Sequence, residues 1–215
     1  MRGRDVALGP AVRRLMGPAE PFVARAYRRF FYDPRTLTAA LVKRFSPSRI
    51  LEVGCGEGLL SEELARAFPS AFVTGIDIAG TPGRLFGLER SRAEFRIESL
   101  SSVVARAPGT FDMVVVGDVI HHVPPGERHA FLADAAKAAR GDGCLVIKDW
   151  ERRANVVHAL NWFSDSVISG EEAHYLDERE LELLIHEALP GRKVIDRLRL
   201  APWKNNLAFV IGPGA

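Results

Sequence analysis

The sequence predicts an α/β protein built on a doubly wound, mostly parallel sheet of seven strands with an antiparallel terminal hairpin. Three observations carry the prediction. Short apolar runs alternate with stretches of helical spacing, which places helices on both faces of a parallel sheet. Residues 111–116 are nearly all apolar, as a strand covered on both faces requires. The last two extended runs, residues 193–200 and 207–211, flank Pro202-Trp203-Lys204-Asn205. They are close enough to pair as a hairpin, so one of them runs antiparallel.

Residues 1–45 read as interrupted helix, punctuated by Pro10, Gly17, Pro18, Pro21 and Pro34, and form an N-terminal extension. Within it, residues 36–45 make a short amphipathic helix stopped by Ser46-Pro47. Residues 46–215 form the main domain. Its first strand, residues 49–53, runs straight into a glycine loop, and residues 59–68 have helical spacing through Leu60, Leu64 and Ala67. Strands follow at 71–76, ending at Asp77, and at 95–97 and 111–116. Residues 128–140 form a helix that buries Phe131, Leu132, Ala135 and Ala139, with Gly141 placed to end it in the left-handed conformation. Residues 144–147 are the fifth strand. Asp177-Glu178-Arg179-Glu180 is a capping box that opens a helix burying Leu181, Leu184, Ile185 and Ala188, and Pro190-Gly191 stops it.

A length of 215 residues with 47% apolar content suits one sizeable core. A net charge of +2 demands neither a nucleic-acid nor a membrane partner. Arginines nevertheless crowd residues 1–35, as a solvated amphipathic segment or as an arm for an anionic substrate or carrier. Cys55 and Cys144, one in a loop and one in a strand, make no disulfide framework and fit a reducing cytoplasm. No secretory h-region and no membrane-length apolar run is found, so a cytoplasmic location is expected.

Gly54-x-Gly56-x-Gly58 stands between a strand and a helix. Glycines there let the backbone turn sharply and approach a ligand, and the helix start that follows favours a carboxylate or phosphate. Leu59 occupies the place where the dinucleotide fingerprint wants a glycine, which argues against a nicotinamide cofactor. Asp77, about 20 residues further on, can accept two hydrogen bonds from a ribose diol.

Ile50-Leu51-Glu52-Val53-Gly54-Cys55-Gly56-Glu57-Gly58 resembles the first motif of the class I S-adenosylmethionine-dependent methyltransferases. Thr74-Gly75-Ile76-Asp77 resembles their second motif, and residues 111–123 their fourth. Gly143-Cys144-Leu145-Val146-Ile147-Lys148-Asp149 resembles the region of their fifth strand. The resemblance implies a Rossmann-like domain with S-adenosylmethionine as cofactor. It implies that Gly54, Cys55, Gly56 and Gly58 wrap the methionine part and that Glu52 helps hold its amino group. It also implies that Asp77 binds the ribose, with Ile78 beside it, that Ser99 and Leu100 contact the adenine, and that Asp118 and Val119 line the wall beside the methionine. Two departures stand out: Ser99 replaces a frequent acid, and Gly80-Thr81-Pro82-Gly83 leaves the helix after Asp77 short or irregular.

Methyl transfer to a hydroxyl needs alignment and removal of a proton. His121 and His122 follow the fourth strand, at the carboxyl edge where ligands bind in open α/β sheets, and one of them suits a base. Asp149 suits either a second base or pocket acid, or a helix cap. Asp118-x-x-His121-His122 has the spacing of a metal site, but no fourth ligand is evident and no metal is expected. Residues 150–175, rich in Trp, His and Asn, break the alternation; Trp150, His158, Asn161, Trp162, Phe163, Asp165, His174 and Tyr175 suit either a lid over a small-molecule pocket or a packed helical insertion. The N-terminal aromatics Tyr27, Phe30, Phe31 and Tyr32 are the alternative cover. The expected activity is methylation of a small-molecule acceptor, at oxygen, in secondary metabolism. The alternatives are a methyltransferase for RNA or protein, or a protein that binds the cofactor without turnover. Against nucleic acid stands the absence of an Asn/Asp-Pro-Pro-aromatic stretch after the fourth strand, since Pro124-Pro125 comes too late.

Overall fold

The computed structural model describes residues 32–78, 80–153, 157–159 and 173–214. Most of the N-terminal extension, with its arginines and with Tyr27, Phe30 and Phe31, lies outside them, as do Asn161, Trp162, Phe163 and Asp165. The strands are β1 (Arg49–Val53), β2 (Phe72–Asp77), β3 (Ala93–Ile97), β4 (Phe111–Gly117), β5 (Ala139–Trp150), β6 (Arg192–Leu200) and β7 (Asn206–Pro213). They form one sheet in the order β3-β2-β1-β4-β5-β7-β6. β1 to β5 pair in parallel, and β7 runs antiparallel to both β5 and β6. The chain leaves β1 in one direction and returns on its other side at β4, so the carboxyl ends of these two strands flank the crevice where open α/β sheets take ligands.

The period of two along each strand sorts the apolar residues into two cores. Leu51, Val53, Val114, Val116, Leu145 and Ile147 face α3 (Leu100–Arg106), α4 (Arg128–Ala138) and α5 (Glu178–Ala188), where they meet Val103, Leu132 and Leu184. Ile50, Met113, Val115, Cys144 and Val146 face α1 (Pro34–Leu41) and α2 (Leu59–Ala67), where they meet Leu37, Leu41 and Leu64. No helix among the described residues is long and apolar enough to cross a membrane.

Three helix boundaries differ from the sequence reading, one of them the end of α1, at Leu41 instead of Phe45. α1 starts earlier because Asp33 caps it and Pro34 takes the first turn, where a missing N–H costs nothing. α4 ends at Ala138, and Gly141 does not terminate it. Ala139 is already extended and pairs with Phe111, so the chain passes from helix to strand with a register shift between Phe111 and Met113. The capping box forms as read, with Asp177 and Glu180 exchanging side-chain-to-backbone hydrogen bonds. Between β2 and β3 the described residues hold only the 3-10 turn Arg90–Arg92.

Candidate functional site

The glycine loop is pinned to β2. The Gly54 and Cys55 N–H groups donate to the Ile76 carbonyl at 2.9 and 3.0 Å, and Gly56 N–H donates to Asp77 Oδ2 at 2.8 Å. Gly54, Gly56 and Gly58 all have positive φ, at 71°, 49° and 88°, but they serve different ends. A Cβ on Gly54 would lie 2.2 Å from Val119 Cγ2, and one on Gly58 would lie 2.8 Å from Gly83 Cα, whereas one on Gly56 would meet nothing within 4 Å among the described residues. Two of the glycines thus permit close packing, and the third keeps an open face. Residues 83–85 back the loop through Gly83 N–H to the Gly56 carbonyl and Leu85 N–H to the Glu57 carbonyl.

Around this loop stand the other residues expected to hold the cofactor. Ile78, beside Asp77, is 78% exposed, an apolar side chain offered at the rim of the loop. Glu52 is buried and accepts a hydrogen bond from Ser61 in the first turn of α2. The Cys55 thiol is buried, and burial pushes its pKa up, so it is no nucleophile. Ser99 caps α3, accepting from Ser102 N–H, and Leu100 packs into the core beneath.

Past β4 the backbone kinks. Asp118 adopts φ 57°, and its N–H donates to the Lys148 carbonyl at 2.8 Å. Lys148 is 1% exposed, and its ammonium contacts both Asp118 oxygens at 2.6 and 2.5 Å. The same ammonium lies 3.9 Å from the centre of the Tyr32 ring. The Tyr32 hydroxyl is buried and has no hydrogen-bond partner among the described residues.

The turn Ile120–His122 then carries both histidines. His121 is buried; its Nδ1 lies 2.5 Å from Asp149 Oδ1, and its backbone N–H donates to Asp149 Oδ2. Burial pushes the Asp149 carboxyl up, but His121, the Trp150 N–H and Lys148 outweigh it and hold the group below the usual carboxylate range. His122 is exposed, 4.0 Å from His121 between ring centres. Tyr175 stacks on His121 with ring centres 4.8 Å apart, and His158 meets Tyr175 edge-on at 5.1 Å. Trp150 Nε1 donates to His158 Nδ1 at 3.1 Å. Burial, then Arg152, lowers the pKa of His158.

Arg128, also buried, ties this corner together by donating to the Val123 and His174 carbonyls. The sequence reading brought forward neither Lys148 as the partner of Asp118 nor Arg128. A lysine inside the otherwise apolar run of β5 was the available signal for the first; Arg128 gave none, since a helix-start arginine is ordinarily solvated. Asp118 turns to Lys148 while His121 turns to Asp149, and among the described residues no group of three His, Cys, Asp or Glu side chains is placed to hold a metal ion. The open face of Gly56, the exposed Ile78 next to Asp77 and the orphaned Tyr32 hydroxyl fit a nucleoside ligand with a polar tail.

A family model described as a methyltransferase domain matches residues 24–188. Ubiquinone biosynthesis O-methyltransferase of Xanthomonas oryzae pv. oryzae is 30% identical over 200 residues, covering 88% of this chain and 79% of that protein. The protein of that name from Xylella fastidiosa is 42% identical over 176 residues, covering 74% and 68%. The 1,6-didemethyltoxoflavin-N1-methyltransferase of Burkholderia thailandensis, solved with S-adenosylhomocysteine bound, shares the fold with a TM-score of 0.65 at 16% identity, covering 100% of this chain and 92% of its own. The mitomycin 7-O-methyltransferase superposes with a TM-score of 0.63 at 17% identity over 84% of this chain and 54% of its own. With its glycine loop, its acidic β2 terminus and its strand order, the chain belongs to the methyltransferase-domain family, as an S-adenosylmethionine-dependent methyltransferase.

Proposed function

We propose that the chain methylates a hydroxyl group on a planar, aromatic small molecule. The observation that carries this reading is the His121–Asp149 pair, buried beneath a run of rings at the carboxyl edge of the sheet. The names of the 30–42% identical relatives support oxygen as the methylated atom and a quinone-precursor ring as the acceptor type. Quinone synthesis and secondary metabolism both use such hydroxylated rings, so the acceptor class does not depend on the pathway.

S-adenosylmethionine supplies a methyl group already activated on a sulfonium. The Gly56 loop, Asp77 and Ile78 are the residues that would hold it, with Asp77 toward the ribose diol and Ile78 toward the adenine. Asp149 holds the Nδ1 side of His121, so the Nε2 lone pair is the one that takes the acceptor's hydroxyl proton. His122 and Tyr175 flank that ring and stack against the acceptor. The described parts of residues 150–175 support a cover over this corner, since Tyr175 packs on His121 and His158 on Tyr175, while residues 154–156 and 160–172 lie outside the described residues.

The test is a turnover assay with S-adenosylmethionine and simple catechols, with mass spectrometry to locate the methyl group. His121→Ala should lower the turnover number by roughly 10²–10⁴, the usual contribution of a general base, and leave cofactor affinity intact. Full turnover by this variant, or methylation of amines with no reaction at phenols, would overturn the proposal.

A further inference from the structure

Tyr32 presents a buried hydroxyl without a hydrogen-bond partner among the described residues, a costly arrangement unless a ligand completes it. The residue is held in place from several sides. Asp33 next to it caps α1 and donates its N–H to the Ala201 carbonyl, and the ring packs against the core on the α1 and α2 face. The Lys148 ammonium sits against that ring, itself locked between the two oxygens of Asp118. Around the hydroxyl the charge is mostly negative. Asp118, Glu52, Asp33 and Glu63 all act on it, with Lys148 the counterion of Asp118 and Arg35 that of Asp33. Such surroundings reject an anion and favour a cation. A phenol oxygen offers lone pairs to it, and the neighbouring carboxylates add attraction.

We propose that Tyr32 accepts a hydrogen bond from the α-ammonium group at the amino-acid end of the cofactor, with Glu52 supplying negative charge nearby. The inference rests on the cofactor seating proposed above, because Glu52 ends β1 just before the glycine loop and Asp118 follows β4 at the same edge. A segment that precedes β1 in sequence thereby completes the pocket, and the cofactor's tail is read by charge as well as by the loop backbone.

The experiment measures binding of three ligands by calorimetry to the wild type and to Tyr32→Phe, which keeps the ring and its contact with Lys148. The ligands are S-adenosylhomocysteine, its decarboxylated analogue (amine kept, carboxylate lost) and 5′-deoxy-5′-methylthioadenosine, which lacks the amino-acid end. A hydrogen bond to a charged group predicts a loss of roughly 10- to 100-fold for the first two and no change for the third. Unchanged affinity for the first two overturns the proposal. A loss confined to S-adenosylhomocysteine assigns the hydroxyl to the carboxylate and overturns it as well. An equal loss for all three means that the residue only supports the fold. Failure of the wild type to bind any of the three overturns the cofactor seating itself, and the proposal with it.

Discussion

Replacing single glycines of the loop should separate packing from ligand binding. In Gly54→Ala the new methyl would stand 2.2 Å from Val119 Cγ2 at a backbone φ of 71°. The left-handed conformation costs an L-residue roughly 1–2 kcal/mol, and forcing a methyl into a filled site costs roughly 1–3 kcal/mol more. The expected destabilisation is therefore about 2–5 kcal/mol, a fall in Tm of roughly 4–20 °C for a chain of this size. In Gly56→Ala the φ of 49° is similar, but nothing among the described residues lies within 4 Å of the new methyl. Its destabilisation should stay near ~1–2 kcal/mol, while the methyl occupies the open face of the loop and lowers S-adenosylhomocysteine affinity. Urea unfolding and calorimetry on both variants provide the comparison. Adding Val119→Ala to Gly54→Ala removes the clashing Cγ2 and should recover the packing part of the loss but not the conformational part. Equal stability losses in the two single variants, or undiminished cofactor binding by Gly56→Ala, would refute the division of labour drawn from the geometry.

Two other substitutions test neighbouring parts of the site. Asp77→Ala should weaken S-adenosylhomocysteine binding by about 1.5–3 kcal/mol, the range for a hydrogen bond to a charged group, and the loss of its bond to Gly56 N–H should also loosen the loop; an unchanged dissociation constant would move the ribose contact elsewhere. Asp149→Asn should destabilise the fold by roughly 1.5–3 kcal/mol at pH 7. Because the folded carboxyl titrates below its ordinary value, the wild-type advantage is present above the unfolded pKa of about 4 and is lost as the pH falls through the lower folded value. Denaturation at pH 7 and at acid pH should show the gap narrowing, and a gap that does not change with pH would count against a charged, buried Asp149.

Much of this protein was legible because the signals are local. The strand Arg49–Val53, the glycine triplet that follows it, and the Asp177–Glu180 capping box depend on residues close together in sequence, where periodicity, φ preference and capping chemistry act directly. The histidines and Asp77 could be placed at the ligand edge for the same reason, since each ends a strand or follows one. Which side chains meet there was decided by the sheet. His121 and Asp149 are 28 positions apart, and Asp118 and Lys148 are 30 apart, so only the β4–β5 register makes them neighbours. That register also overrode the expected helix end at Gly141, because Ala139 gains a ladder partner in Phe111 and leaves the helix two residues earlier than the glycine. The burial of Lys148 and the orphaned hydroxyl of Tyr32 are likewise products of packing between distant segments. Local sequence determined the elements and the chemistry available at their ends; the tertiary pairing determined which of those groups form the site, because hydrogen bonds and charges act over a few ångströms in space whatever their separation along the chain.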